Sequence, residues 1–375
     1  MSTRLVLAGA GHAHLELLRR CGLQPSSDVD VTVISPGATH VYSGMVPGYL
    51  AGMYSFDDVS VSIETICRHA RARFISDRVT NIDRSRRVLV TASGVEVPYD
   101  LLSINFGSRA LGAMKDDVRQ HAVVAKPFDR VQQIRDRLES LARGQATQSA
   151  SIWVVGGGAA GVELAFAAAA AMKRHAGNGT VQLVESGDRL LRGYETRIQQ
   201  LAHRTLQERG VVIQLHTHVA ALAERRIGFS DGTSRPADLV LWITGAEPSV
   251  SLSSSGLALD DRGFVLVRDT LQSVNDERVF AVGDSATLQH APQTPKAGVY
   301  AVRQAPVLWN NLVAPSSAAR AMQRYVPQSN YLSLLNCCDG TALLRYKLLQ
   351  LRAGWAWRLK DRIDRRFMRR YQSIA

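Results

Sequence analysis

Hydrophobic positions along the chain form two similar patterns, one beginning near residue 4 and one near residue 152. The runs "RLVLA" and "IWVV" are almost continuously apolar, which is typical of parallel strands that are covered on both faces. Glycines follow each run directly, and apolar residues then recur at the spacing of an α-helix. Because a strand, a tight turn and a helix form the first half of a βαβ unit, the pattern predicts two such domains.

Further strand patterns follow each of these units. After the first, "DVDVTVIS" predicts a second strand, and residues 71–105 predict a small antiparallel insert with a return strand. After the second, "GTVQLVES", "VVIQLHTHV" and "ADLVLWITG" predict three more strands, with a helix and a hairpin between them. The alternation predicts an α/β fold with two doubly wound, Rossmann-like dinucleotide-binding domains.

Toward its carboxyl end the chain loses this alternation. The stretch "YLSLLNCCDGTALLRYKLLQL" predicts a small hairpin that turns at Asp339-Gly340, and a basic amphipathic helix follows it. We therefore predict a first domain in two parts, residues 1–118 and 249–315, a second domain of residues 119–248, and a C-terminal segment of residues 316–375. Two domains suit the length, because 375 residues exceed what one hydrophobic core usually holds.

The composition excludes several classes of protein. Hydrophobic residues make up 46% of the chain and charged residues 21%, as in a soluble globular protein. No apolar run has the length of a transmembrane helix, and the amino terminus does not resemble a signal peptide. The four cysteines are too few and too irregular for a disulfide framework or a zinc site, so we expect no metal and a cytoplasmic location.

The second glycine turn contains the pattern G-x-G-x-x-G at Gly156, Gly158 and Gly161. The first glycine permits the tight turn, the second lets the backbone approach a pyrophosphate, and the third lets the helix pack on the strand. Glu185 ends the next strand, where a carboxylate can bind the ribose hydroxyls of a dinucleotide. Since that carboxylate repels a 2′-phosphate, the sequence favours NADH over NADPH, although Arg189 follows closely.

The first glycine turn is less regular than the second. Gly9 and Gly11 match the pattern, but His14 stands in place of the third glycine. The next strand ends at Ser35 rather than at an acid, so we predict that Ser35 or backbone groups bind the ribose. We also predict that the larger His14 moves the helix slightly outward. All four residues are candidates for binding a dinucleotide.

Three later stretches add to the two turns. "YDLLSINFGS" and "ADLVLWITGAEP" each combine an acid, an apolar strand and a glycine, at Gly107 and Gly245, and "VFAVGDSA" contains Gly283 and Asp284. With these stretches, residues 3 to about 310 resemble the pyridine-nucleotide–disulfide oxidoreductase superfamily. The resemblance implies that FAD binds the first domain, with Asp284 on the ribitol hydroxyls of the flavin, and that NADH binds the second domain.

The positions of the cysteines narrow the branch of the superfamily. Disulfide reductases carry two close cysteines after the first βαβ strands, and "ATHVYSGMVPGYLAGMYSF" has none there. Sulfide:quinone oxidoreductases use cysteines on both sides of the flavin, and Cys337 and Cys338 could supply only one side. The chain is most similar to type II NADH dehydrogenases and to FAD-dependent proteins associated with selenophosphate synthetase, through "GHAHLELLRR", "YSGMVPGYLAG" and "PKAGVYAVRQ".

The resemblance and the positions of five further residues predict their roles. Glu163 would lie between the nicotinamide and the flavin, where it positions the rings and handles a proton; the alternative is a helix-terminal carboxylate without a chemical role. Lys296 would stabilise negative charge on the reduced flavin, and Gln304 would face a quinone-type acceptor. Tyr42 and Pro47 would border the flavin ring. The hypothesis is an NADH:quinone oxidoreductase in which FAD takes hydride from NADH and passes two electrons to a quinone.

Half of the net charge of +12 lies near the carboxyl end, where residues 352–371 hold eight Lys/Arg against two Asp, an excess of 8 − 2 = 6. Apolar residues recur there every four positions and predict a stripe flanked by cations: Trp355, Leu359, Ile363, Phe367 and Tyr371. The pattern favours peripheral contact with the inner face of a membrane, and a helix docked on the body is the alternative. No nucleic-acid motif accompanies the basic residues, so we predict no nucleic-acid partner.

Two other functions stay open from the sequence. Sulfide or selenide oxidation would depend on Cys337 and Cys338, whereas a flavin-binding partner in selenium metabolism would act through protein contacts. The sequence also leaves open the natural electron acceptor and whether the protein forms a homodimer.

Overall fold

The first domain contains one sheet of eight strands. The computed structural model describes residues 2–144, 149–313 and 321–374. The strand Thr3–Ala8 of this sheet pairs in parallel with one neighbour on each side. Its residues 5–8 are apolar and buried. In order across the sheet, the strands are Ala286–Leu288, Val265–Val267, Gln272–Ser273, Asp276–Ala281, Leu101–Ile104, Thr3–Ala8, Val29–Ser35 and Arg73–Ser76.

Smaller elements surround this sheet. The predicted antiparallel insert is present as Val79–Asp83, Val88–Thr91 and Glu96–Pro98, and its return strand lies in the main sheet. A two-stranded pair joins Thr39–Val41 to Ser60–Ser62. The helices of the first domain are His12–Leu23, Val46–Leu50, Phe56–Val59, Ile63–His69 and Gly298–Leu312.

The second domain contains a parallel sheet of five strands. In order across the sheet they are Val123–Val124, Leu239–Trp242, Ala150–Val155, Gly179–Val184 and Val211–Gln214. An antiparallel sheet packs beside it, formed by Val219–Ala223, Arg226–Phe229 and Ser234–Pro236, with a turn at Asp231-Gly232. The helices are Asp116–His121, Val131–Arg143, Ala159–Arg174 and Thr196–Glu208. A short pair, Ser108–Ala110 with Ala246–Pro248, lies where the chain crosses between the two domains.

One strand of the second domain was predicted too long. The stretch from residue 211 to residue 219 forms two strands rather than one, and the chain turns between them at His216. His216 has φ +51°, which a continuous strand does not allow. The largest cluster of buried apolar side chains extends through both domains and the last helix, and it includes Leu5 in the first sheet, Val154 in the second and Met368 in the last helix.

The C-terminal segment contains a three-stranded antiparallel sheet rather than the predicted hairpin. Its strands are Ser333–Asn336, Ala342–Tyr346 and Leu349–Ala353. The first turn lies at the predicted Asp339-Gly340, but a second turn follows at Lys347, where φ is +51°. This second turn contains no glycine, asparagine or proline, so the usual turn residues did not mark it in the sequence.

The last helix, Gly354–Gln372, docks on the body through a different face from the predicted apolar stripe. Its buried positions are Ala356, Lys360, Asp364, Met368 and Tyr371. An α-helix turns about 100° per residue, so positions four apart drift by about 40°, and the predicted stripe rotates about 160° along its length. Trp355 and Ile363 are therefore exposed, whereas Phe367 and Tyr371 contact the protein. Within the described residues, no helix combines the length and the apolar character that spanning a membrane requires.

Candidate functional site

The first glycine turn packs directly against the backbone that follows the strand Leu101–Ile104. Gly9 has φ +91°, and a Cβ atom there would lie 2.5 Å from the carbonyl oxygen of Asn105. A Cβ atom at Gly11 would lie 2.2 Å from Oδ1 of Asn105. Only glycine fits at both positions, and the turn exposes its backbone N–H groups at the start of the helix His12–Leu23.

His14 has no free ring nitrogen with which to bind a cofactor at this turn. Its side chain is fully buried, with Nδ1 2.5 Å from the carbonyl oxygen of Gly9 and Nε2 2.8 Å from Oγ of Ser103. Because both ring nitrogens have protein partners, His14 connects the turn to the neighbouring strand and supports it from behind. The predicted binding role of this side chain is therefore replaced by a structural one.

Three buried polar atoms around the first turn have no hydrogen-bond partner among the described residues. They are Nε2 of His12, Nε2 of His40 and Oδ1 of Asn105. Buried polar atoms are nearly always paired in folded proteins, so three unpaired atoms clustered beside one glycine turn point to a bound group there. At Gly107, φ is +75° and a Cβ atom would meet nothing within 4 Å, so backbone is open there. These features fit a large polar cofactor such as FAD along the turn.

Asp284 lies at the carboxyl ends of two adjacent parallel strands, where ligands of doubly wound sheets bind. Its carboxylate accepts hydrogen bonds from Oγ of Ser108 at 2.8 Å and from Nζ of Lys126 at 2.6 Å. Burial raises the pKa of Asp284, but Lys126, the hydroxyl of Ser108 and the charge of Lys296 together hold that pKa below its usual value. Sequence reasoning missed Lys126, because its contact with Asp284 depends on how the domains pack.

Gln304 binds the loop that contains Asp284, and Lys296 binds the strand Ala286–Leu288 that follows this loop. Gln304 is buried, and its Oε1 accepts the N–H of Gly283 at 2.6 Å. The ammonium of Lys296 donates to Oγ1 of Thr287 at 3.0 Å and lies 3.9 Å from the centre of the Phe264 ring. Burial lowers the pKa of Lys296 to about 8. Gln304 therefore fixes the loop of Asp284 and Lys296 binds the strand after it, while their roles toward the flavin and the acceptor stay predictions.

The second glycine turn has the geometry that a dinucleotide needs. Gly156 has φ +118°, and a Cβ atom at Gly161 would lie 1.7 Å from the carbonyl oxygen of Gly156. A Cβ atom at Gly158, which caps the helix Ala159–Arg174, would meet nothing within 4 Å, so a phosphate can approach. Glu185 accepts the N–H groups of Gly157 and Gly187, each at 2.7 Å, and so lies beside the turn.

Three other candidates flank the two turns. Ser35 ends the strand Val29–Ser35 and is buried, in the position that Glu185 occupies in the second domain. Gly245 accepts the N–H of Leu111 at the crossing between the domains. Arg189 pairs with Asp188 and is half-exposed, so its charge near Glu185 is already partly neutralised.

Glu163 projects from the helix Ala159–Arg174 toward the C-terminal sheet. Its Oε1 accepts the backbone N–H of Asn336 at 2.7 Å. Burial raises the pKa of Glu163 to about 7, while the nearby ammonium of Lys360 opposes part of that rise. A carboxyl group with a pKa near neutrality can hold and release a proton under physiological conditions, which is the property of a general acid.

The last helix adds a buried ion pair that sequence reasoning missed. Lys360 and Asp364 are only 8% and 4% exposed, and their charged atoms are 2.8 Å apart. Nζ of Lys360 also donates to the carbonyl oxygen of Gly44 at 2.8 Å, and the hydroxyl of Tyr42 donates to Asp364 at 3.1 Å. The pair therefore joins the last helix to the segment predicted to border the flavin, near Glu163.

The two adjacent cysteines lie in the turn of the C-terminal sheet. Sγ of Cys338 is 3.5 Å from the carbonyl oxygen of Pro47, so Pro47 and Cys338 are neighbours. Burial raises the pKa of Cys337 to about 11 and raises the pKa of Cys338 well above its usual value. Since a thiolate is the reactive form of cysteine, both side chains are in the unreactive form at neutral pH.

Known proteins share this architecture and part of this sequence. The profile of the family described as "Pyridine nucleotide-disulphide oxidoreductase" matches residues 3–305. The NADH dehydrogenase-like protein YutJ of Bacillus subtilis is 23% identical over 84% of this chain and 86% of its own length. A type II NADH:quinone oxidoreductase of Haemophilus influenzae is 26% identical over 76% and 73%, respectively.

Two solved structures have the same fold along nearly the whole chain. NDH2 from Plasmodium falciparum in complex with NADH has a TM-score of 0.81 at 15% identity and covers 98% of each chain. The sulfide:quinone oxidoreductase of Aquifex aeolicus has a TM-score of 0.78 at 16% identity, covering 100% of this chain and 92% of the other. At these identities the similarity extends to the fold alone.

Proposed function

Because the chain belongs to the pyridine nucleotide-disulphide oxidoreductase family and is an oxidoreductase with FAD and NADH as cofactors, we propose that it passes electrons from NADH to a quinone-type acceptor. The observation that carries this proposal is the position of Glu163. It extends from the helix of the second glycine turn to the C-terminal sheet, near the ion pair of Lys360 and Asp364. Type II NADH:quinone oxidoreductases among the relatives support the same acceptor class.

Each part of the site has a distinct task in this proposal. Bound FAD supplies the two-electron exchange between the nucleotide and the acceptor. The turns at Gly9 and Gly156 hold the two dinucleotides, and Asp284 and Glu185 bind their hydroxyl groups. NADH provides two electrons and one proton, so reduction of a quinone to a quinol needs one further proton. Glu163 supplies that proton.

The cysteines of this chain favour NADH over sulfide as the electron donor. A persulfide mechanism needs a reactive thiolate, and burial keeps the thiols of Cys337 and Cys338 protonated. The other two cysteines, Cys21 and Cys67, are buried in the first domain, and burial raises the pKa of each to about 12. The buried and protonated state of these four thiols therefore favours the role of an NADH oxidoreductase.

The test is an anaerobic titration of the purified protein loaded with FAD. NADH is expected to bleach the visible absorbance of the flavin, and a soluble quinone added afterwards is expected to restore it. NADPH should bleach more slowly, because Glu185 repels a 2′-phosphate. A flavin that NADH cannot bleach, or that sulfide bleaches instead, would contradict the proposal.

We also propose that the exposed half of the last helix binds the inner, cytoplasmic face of a membrane. Trp355 is 46% exposed and Ile363 is 42% exposed, and arginines flank them on the solvent side. Apolar side chains between cations suit the interface of an anionic bilayer. Near such a surface each arginine contributes about 1 kcal/mol of attraction.

This membrane proposal predicts a loss of vesicle binding when the charge is removed. Replacement of Arg358, Arg362 and Arg366 by Gln is expected to release the protein from anionic vesicles in a flotation assay. A triple variant with the same change in net charge serves as the control, with Gln at the exposed arginines of the body: Arg71, Arg226 and Arg235. Equal flotation of the two triple variants would disprove the role of the helix.

A further inference from the structure

Two histidines form a contact pair beside the first glycine turn. His12 begins the helix His12–Leu23, and His40 lies in the short strand Thr39–Val41. Their ring centres are 4.7 Å apart and the rings are nearly perpendicular, at 86°. Each Nε2 atom is buried and has no hydrogen-bond partner within the described residues. Two unpaired nitrogens side by side need a common explanation.

Polar groups, rather than the apolar core alone, surround the ring of His12. A Cβ atom added at Gly298 would lie 3.8 Å from Nε2 of His12 and 3.9 Å from Oγ of Ser43. The charges of Asp284 and Lys126 both act on the ring of His12. His12 thus lies between the first glycine turn, the Asp284 loop and the amino end of the helix Gly298–Leu312.

The two histidine rings have the same charge state. Burial lowers the pKa of His12 to about 4 and that of His40 to about 3, so both rings are neutral at physiological pH. The Nε2 atom of a neutral imidazole accepts from a hydroxyl or an N–H group in one tautomer and donates to an acceptor in the other.

We propose that His12 and His40 bind the flavin nucleotide directly through their two Nε2 atoms. Each neutral ring recognises a hydroxyl or imide N–H donor in one tautomer, and an acceptor such as a carbonyl oxygen in the other. The inference rests on the proposed function only in requiring that the protein binds FAD. It adds two binding residues that the glycine pattern does not contain.

Aromatic side chains hold the two imidazoles in place. Tyr42 lies 5.6 Å from His12 and 4.6 Å from Phe367, measured between ring centres. Phe367 belongs to the last helix and is also 6.0 Å from His12. The C-terminal segment therefore packs against His12, and it limits the orientations that this ring can adopt.

The experiment measures FAD binding to the apoprotein, by quenching of flavin fluorescence, without NADH or a quinone. His12→Leu and His40→Leu are each expected to raise the Kd for FAD about tenfold, because each removes a hydrogen bond in a buried site. His12→Gln, whose amide can replace Nε2, should stay within about threefold of the wild type. Thermal unfolding of each apoprotein checks that the variants fold.

His69→Leu is the matched control. Nε2 of His69 is also buried without a partner among the described residues, but its ring packs against Gly22, at the other end of the first helix. This variant should bind FAD like the wild type. Wild-type affinity in both His12→Leu and His40→Leu would overturn the inference alone, whereas a wild-type apoprotein that binds no FAD would overturn the proposed function.

Discussion

Glu163→Gln is expected to lower kcat for quinone reduction about 100-fold, the usual contribution of a general acid, and to remove the pH dependence near neutrality. Burial raises the pKa of Glu163 to about 7, so the carboxyl group is protonated below that pH and ionised above it. If the protonated form supplies the second proton of the quinol, the wild-type rate falls as the pH rises through about 7. The Gln variant has no group to titrate there and should be slow at every pH.

The same ionisation affects stability in a defined direction. A carboxyl group whose pKa is higher in the folded state than in the unfolded state binds more protons when folded, so its contribution to stability falls as the pH rises toward and past about 7. Glu163→Gln should therefore unfold at a higher temperature than the wild type at pH 8, while its activity is lower. A merely structural role for Glu163 would not produce this opposite pair of changes.

Steady-state kinetics with NADH and a soluble quinone between pH 5.5 and 9 provide the measurement. Glu224→Gln is the control, because Glu224 is an exposed glutamate in the second domain. Its kcat and pH profile should match those of the wild type. A Glu163→Gln enzyme with the wild-type rate and pH profile would contradict the assignment of the proton donor.

The parts of the site that depend on local sequence could be predicted. Gly156 and Gly161 are required by a positive φ and by a close backbone approach, and both requirements act within one strand, turn and helix. The alternation of strands and helices likewise predicted the α/β fold, and the structure and the relatives confirm it. Glu185 could be predicted for the same reason, because it directly follows the strand Gly179–Val184, which pairs with the strand before the turn.

The parts that depend on packing between distant segments could not be predicted. His14 breaks the glycine pattern, yet space for its ring exists because Ser103, on the neighbouring strand, is small and offers a hydroxyl. The ion pair of Lys360 and Asp364 contacts Gly44, 316 positions away from Lys360. In the sequence, Lys360 and Asp364 fall among charged residues that hydropathy assigns to the solvent. The same criterion assigns the buried face of the helix to the aromatic residues.

The largest expected effect on stability comes from that buried pair. Lys360→Met should destabilise the protein by about 3–5 kcal/mol, because it leaves the carboxylate of Asp364 buried without its cation. Arg365→Met is the control on the same helix. Arg365 pairs with Asp361 but is about 40% exposed, so its loss should cost about 1 kcal/mol or less. Urea unfolding of the FAD-loaded proteins provides the comparison.

The double variant Lys360→Met/Asp364→Leu separates the charge from the packing. Replacing both partners of a buried pair by apolar residues is often neutral, so the double variant should recover much of the stability that Lys360→Met loses. Recovery should be incomplete by about 1–3 kcal/mol, because the hydroxyl of Tyr42 and the carbonyl of Gly44 lose their partners. If Lys360→Met were no less stable than Arg365→Met, the pair could not be buried as the structure has it. The last helix would then be held by its apolar contacts alone, and Glu163 would have no neighbouring cation to lower its pKa.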